Sequence, residues 1–327
     1  MLEEIRKGYI GHPAQLCTVR RVTLEEGKAR GSEIIEVKTA GGLELDLLPG
    51  NGLDIGQARY LGQNMTFLCK NGYDSPAVDH PFELEFLHTF PGGLLYSCGL
   101  RNAGPAGRDG SEWQPIHGRL HTLPAELVSA EVSDDTITVS GTVRETALFG
   151  SALVLKRVIR IPVYGSSVEI TDTLTNETPR DEQILQLYHC NFGYPLLSEE
   201  ARLILPENRT TEGKSPYAQE ALDKQLFFEA PGAEEKERVY LQDMQEEFWA
   251  RLENPALKIA MTLSWSGDTL PTLSEWRTMA FGDYALGLEP TNCRLRGRVG
   301  EREADNALIL KAFESRTNRI EIRFSAL

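Results

Sequence analysis

Few residue types can move protons near neutral pH, and two of the six histidines in this 327-residue chain stand in restrictive surroundings. His117 lies in IHGRLHTLPA and His189 in LYHCNFGYPLL, each between apolar and turn-forming residues. Glu289 closes the apolar run of YALGLEPTN, where Pro290 and Asn292 mark a turn and put a carboxylate at a sheet rim. An imidazole and a carboxylate brought together form an acid–base pair, each member typically worth about 10²–10⁴-fold in a proton transfer. The same groups have other uses. Glu289 can form a rim salt bridge to Arg294 or Arg296, and two histidines with a glutamate can hold a divalent ion. If His117 and His121 share a strand, they lie on one face about 13 Å apart, too far for one ion without a bend. His12, His80 and His88 fall in N-terminal or loop-like segments near prolines and read as surface residues.

Five cysteines, Cys17, Cys69, Cys98, Cys190 and Cys293, are odd in number and dispersed. No CxxC pair suggests a zinc site or redox motif, so free thiols in a reducing compartment fit best. NGLDIG and FPGGLL lack the spacing of either nucleotide fingerprint, which leaves ATP or NAD dependence without support. A formal net charge of -14 opposes nucleic acid as a partner. The segment MLEEIRKGYIGHPAQLC carries early acidic residues and no apolar signal core, and no apolar run is long enough for a spanning helix. The expectation is a soluble, cytoplasmic protein with no membrane partner.

The elements that must position these residues read as strands. Period-two alternation recurs in Leu43, Leu45, Leu47; in Ile137, Val139, Gly141, Val143; in Val168, Ile170, Asp172, Leu174; in Ile259, Met261, Leu263, Trp265; and in Ile320, Ile322, Phe324. Short turn signals such as AGG, SDD, YGSS and SGD separate them and imply hairpins and meanders. Only PYAQEALDKQLFFEA and LQDMQEEFWARL could each supply a short helix. AEEKER reads as a solvated loop, and no linker or low-complexity tract divides the chain. The expected fold is all-β, with residues 1–327 forming a single domain of two packed antiparallel sheets.

Taken in order, HGRLH, LYHCNFGYP and LGLEPTN resemble the galactose mutarotase-like superfamily of aldose 1-epimerases. The likeness runs on through GLDIG, FPGGLLYSCGL, RETALFG, NFGYPLL and LPTLSEWR, and is greatest to a bacterial branch known only as a domain of unknown function. It implies a large antiparallel β-sandwich, the galactose mutarotase-like supersandwich, acting on a small-molecule sugar without metal or other cofactor. It puts His189 in the place of the general acid, Glu289 in that of the general base, and His117 beside the ring oxygen of the substrate. Asp243, in VYLQDM, falls near a hydroxyl-binding aspartate of the family. The asparagine–arginine pair of many members is not evident; CGLRNAG carries Arg101 and Asn102 in reversed order, and Arg119 is the replacement cation, which admits an acidic or phosphorylated sugar. Trp276, Trp113, Tyr188 and Phe192 are available as aromatic surfaces. A metal-dependent sugar isomerase and a non-catalytic carbohydrate-binding protein of the same fold are the rival readings.

Overall fold

The computed structural model describes residues 2–74, 86–133, 135–233 and 235–327; His80 lies outside them. Strand pairs are antiparallel and arranged in three main sheets. The largest has eight strands, running in space Arg202–Ile204, Trp249–Asn254, Ile259–Trp265, Ser315–Ala326, Ser167–Asn176, Ala152–Pro162, Thr136–Thr146 and Glu126–Ser133. A seven-stranded sheet runs Arg209–Gly213, Arg238–Met244, Thr272–Ala280, Asp283–Thr291, Glu182–Phe192 and Leu308–Leu310, with Tyr96–Leu100 also pairing Glu182–Phe192. A five-stranded sheet over Thr18–Thr23, Glu33–Lys38, Leu43–Leu48, Asp54–Tyr60 and Gln63–Asn64 completes the layers. Among the described residues no helix is long and apolar enough to cross a membrane.

Alternation drives this layering, because a strand with one apolar face must bury it against another element. Leu43, Leu45 and Leu47 of the five-stranded sheet, with Ile137, Val139, Val168, Ile170, Met261, Leu263, Ile320, Ile322 and Phe324 of the eight-stranded sheet, enter one core. Tyr188, Cys190 and Phe192 reach the same core from the seven-stranded sheet. The intervening Leu185 and Leu187 point the other way, into a second apolar cluster with Phe67, Phe90, Tyr96 and Cys98. The strand Glu182–Phe192 is thus buried on both faces, and His189, in step with Leu187, belongs to the second face. Cys17, Cys98, Cys190 and Cys293 are buried free thiols and Cys69 is partly buried.

Several sequence expectations need correction. PYAQE does form a helical turn, Pro216–Glu220, capped by the Ser215 hydroxyl accepting from the Ala218 N–H at 3.1 Å. LQDMQEEFWARL forms no helix: it divides between the strands Arg238–Met244 and Trp249–Asn254. Ala250, Leu252 and Asn254 bury alternately and the segment ladders onto Ile259–Trp265, so tertiary pairing overrides the helix propensity of its Glu and Gln residues. His121 is no strand neighbour of His117 but sits in a 3₁₀ turn, Leu120–Thr122. Glu289 is not at a rim: its strand continues through Pro290 to Thr291, and the carboxylate is buried.

Candidate active site

Strand register brings the histidine and the glutamate together. Leu187 pairs with Thr291 and Cys190 with Leu288, which sets His189 opposite Glu289. His189 also pairs with Tyr96 on its other side, and Glu289 with Ser274. His189 Nε2 lies 3.0 Å from Glu289 Oε1, with side chains 7% and 2% exposed. The contact is electrostatic and poorly aligned, so Glu289 Oε1 makes no hydrogen bond; His189 Nδ1 and the Ser274 hydroxyl, also buried, make none either. The salt bridge to Arg294 or Arg296 is not formed; Arg294 pairs with Asp243 and Glu212.

Gly287 makes room for this pair. Strand alternation puts position 287 on the same face as Glu289, and a Cβ there would stand 2.8 Å from Glu289 Oε1 and 2.9 Å from His189 Cε1. Trp276, paired with Gly287 across the ladder, comes edge-on to His189 with ring centroids 5.5 Å apart. Phe90 covers His189 at 5.6 Å and packs on Phe86 at 5.2 Å. Tyr188 and Phe192 point into the main core instead, and Trp113 lies beside Arg108, its ring 5.8 Å from the guanidinium.

His117 arrives from a loop. Its φ of 58° and that of Gly118, 78°, are both left-handed, a turn that glycine makes without strain. The turn docks on the edge strand: the Gly99 N–H donates to His117 O at 2.8 Å and the Arg119 N–H to Gly99 O at 2.8 Å. The ring ends 6.1 Å from that of His189, edge-on, and 5.4 Å from Phe86. Burial, helped by the neighbouring imidazole of His189, pushes its pKa down to about 4, against an opposing pull from Glu289. His117 is therefore neutral near pH 7, suited to hydrogen bonding rather than to supplying a proton.

Arg119 and Asp243 are not in hydrogen-bonding contact with the pair. Arg119 donates to the Trp113 carbonyl at 2.7 Å and lies 3.8 Å from Glu145. Asp243, half-exposed, accepts from Arg294 at 2.6 Å and from Thr272 at 3.3 Å; register places it on the same face as Glu289, two ladder steps along. Arg101 pairs with Glu112 and Glu182, and Asn102 braces the loop by donating to the Pro105 and Pro115 carbonyls, so both are structural here. His121 turns away from His117: its ring stacks on Tyr96 at 3.9 Å and its Nδ1 lies 2.7 Å from Asp54. His12 and His88 are exposed. Among the described residues no group of three or more His, Cys, Asp or Glu is placed to hold a metal ion.

Sequence reasoning passed over Phe90, Ser274 and Gly287, although FPGGLL and LPTLSEWR, which contain the first two, were visible as motifs. Alternation within the strands was the signal that could have put Ser274 and Gly287 on the face of Glu289.

The sequence profile of a family described as "Domain of unknown function (DUF4432)" matches residues 29–324. The chain belongs to this family. No functionally curated protein matches its sequence. Among solved structures it is similar to a "putative aldose 1-epimerase" from Klebsiella pneumoniae, with a TM-score of 0.84 and 24% identity over 94% of this chain and 83% of that one. A galactose mutarotase-like protein from Clostridium acetobutylicum aligns at TM-score 0.64 and 14% identity, over 96% and 100% of the two chains. A galactose 1-epimerase from Lactobacillus acidophilus aligns at 0.60 and 13%, over 94% and 99%. At these identities the likeness establishes the fold: this DUF4432 chain is an all-β, galactose mutarotase-like sandwich.

Proposed function

We propose that this DUF4432 protein is a cytoplasmic, single-domain aldose 1-epimerase that interconverts the anomers of an aldose or aldose derivative. The supporting observation is the convergence of buried, unsatisfied polar groups: His189 Nδ1, Glu289 Oε1 and the Ser274 hydroxyl lie on one face of the sheet, under aromatic walls. Leaving such groups without partners costs about 1–3 kcal/mol each, a cost recovered when a polar ligand bonds to them. The names of the structural neighbours point to the same chemistry.

Ring opening needs two proton movements. Glu289 takes the proton of the C1 hydroxyl while the bond between C1 and the ring oxygen breaks, and its electron pair goes to that oxygen. The oxygen takes a proton from His189 as imidazolium, and C1 becomes an aldehyde carbon. Rotation about the bond from C1 to C2 and reversal of the steps give the other anomer. The 3.0 Å contact between acid and base in the free site must open to admit the sugar, consistent with poor alignment before binding. Neutral His117 donates or accepts a hydrogen bond beside the ring oxygen. Asp243 and Arg119 serve as outer hydroxyl contacts.

The test is anomer exchange measured by NMR across aldoses, uronates and sugar phosphates. Glu289→Gln keeps the shape of the side chain but cannot take a proton. It should fold, bind sugar, and lose about 10²–10⁴-fold of the catalysed exchange. His189→Asn should do likewise, and the double variant should lose little more than either, because groups acting as a unit are not additive. Near-normal exchange by folded Glu289→Gln would overturn the assignment.

A further inference from the structure

The 102–105 segment that touches His117 through Gly104 also walls an open groove, bounded across from it by residues 296–300. Arg108, Arg296 and Arg298 line this groove and, among the described residues, no carboxylate does, although the chain as a whole carries a net charge of -14. The three cations are not equivalent. Arg298 is already matched, donating to Asp109 at 2.8 Å and Glu182 at 2.6 Å. Arg108 and Arg296 are exposed and form no ion pair among the described residues; Arg108 makes one long bond, 3.3 Å, to the Ser111 carbonyl. Gln114 lines the same groove and is only 2% exposed, yet neither its amide nitrogen nor its amide oxygen has a hydrogen-bond partner. A buried primary amide left wholly unpaired is costly and calls for a ligand or ordered water.

We propose that this groove binds a phosphate-type oxyanion, held by the Arg108 and Arg296 guanidinium groups with the Gln114 amide at its floor. Guanidinium forks match the oxygens of a phosphoryl group in geometry as well as charge, and two of them facing one groove select a dianion over a neutral polyol. Because the 102–105 segment is shared, an occupant would bear on the loop that carries His117. The anion is either free or the phosphate of a phosphorylated sugar.

Titration of the full-length protein with inorganic phosphate at fixed ionic strength, by calorimetry, should show one saturable site in the micromolar to millimolar range. Arg296→Glu and Arg108→Glu, both at exposed positions, should each weaken it at least about tenfold, the loss of one charge-assisted hydrogen bond, with the melting temperature unchanged. Gln114→Met, which fills the same volume without an amide, should weaken it too. Anomer exchange then separates the sources. If Arg296→Glu raises KM for a phosphorylated aldose and leaves that for the neutral sugar alone, the phosphate belongs to the substrate; if it alters neither, the ligand is a free anion. Absence of saturable binding to wild type, or equal binding by wild type and both charge-reversed variants, overturns the proposal. The binding arm does not depend on epimerase activity, so its failure leaves that assignment standing.

Discussion

Gly287, two residues before Glu289 on the same strand, leaves the space that the acid and the base occupy. Its backbone is ordinary extended strand, so alanine is acceptable conformationally; only the side-chain space is missing. The added methyl would displace Glu289 Oε1 or the His189 ring by a few tenths of an ångström or more. A misplacement near 1 Å can cost about 10²-fold in rate. Gly287→Ala should therefore keep a near-native melting temperature while anomer exchange drops by about one to two orders of magnitude. An unchanged rate would mean that the two side chains are not used in the geometry seen here. His189 and Glu289 each stood out in the sequence by their surroundings, but their pairing was identifiable only through resemblance, since a hundred positions separate them and no local pattern links them.

At the scale of elements, a buried polar network fixes the strand that carries His189. Arg157, fully buried in the eight-stranded sheet, donates to Asp172 at 2.9 and 2.7 Å, to Asp54 at 2.6 Å and to the Ser97 hydroxyl at 2.8 Å. The Tyr188 hydroxyl donates to Asp172 at 2.9 Å, tying the neighbour of His189 to the opposite sheet. Burial alone would raise the pKa of Asp54, but the His121 bond and the Arg157 charge outweigh it and hold the carboxyl below its usual range. Arg157→Met should destabilise the fold by about 3–5 kcal/mol in urea unfolding, because it leaves two carboxylates buried without their cation. Tyr188→Phe, which removes this bond and the one the hydroxyl accepts from Asn318 at 3.3 Å, should cost about 1–2 kcal/mol. A small loss in Arg157→Met would show that the network is dispensable. The alternation Val168, Ile170, Asp172, Leu174 revealed the strand and even its inward face, yet not why an aspartate could occupy that face. Its partners lie on other strands, Asp54 being 103 positions from Arg157, and a periodicity read along one strand carries no record of them. The misread LQDMQEEFWARL segment has a related cause: its ladder partners, Thr272–Ala280 and Ile259–Trp265, lie outside the segment, while its helix-forming residues lie within it.

Over the whole molecule, the layers were readable because two-residue periodicity follows directly from facing a core, whereas the aromatic cover and the groove beside the 102–105 loop depend on how loops settle over the sheets. That cover gives the protein a distinctive response to acid. His117 sits beside His189 under Phe86, and in the folded state it takes a proton only near pH 4 against a reference of 6.5. Between those values the unfolded chain binds a proton at this residue that the folded chain does not, so folding stability from this site is complete above pH 6.5 and falls as pH is lowered towards 4. The paired carboxylates respond later. Asp109, held near 2 by hydrogen bonds from Arg302 and Arg298 against the effect of burial, gives up its contribution only as pH falls from 3.8 towards 2. Asparagine is the informative replacement at 117, since it accepts a left-handed backbone and does not titrate. Urea unfolding at pH 7 and pH 5 should show wild type losing more stability between the two than His117→Asn, with the two proteins responding alike from pH 8 to pH 7. Equal losses from pH 7 to pH 5 would place the proton on some other group and remove the argument that His117 meets the sugar as a neutral imidazole.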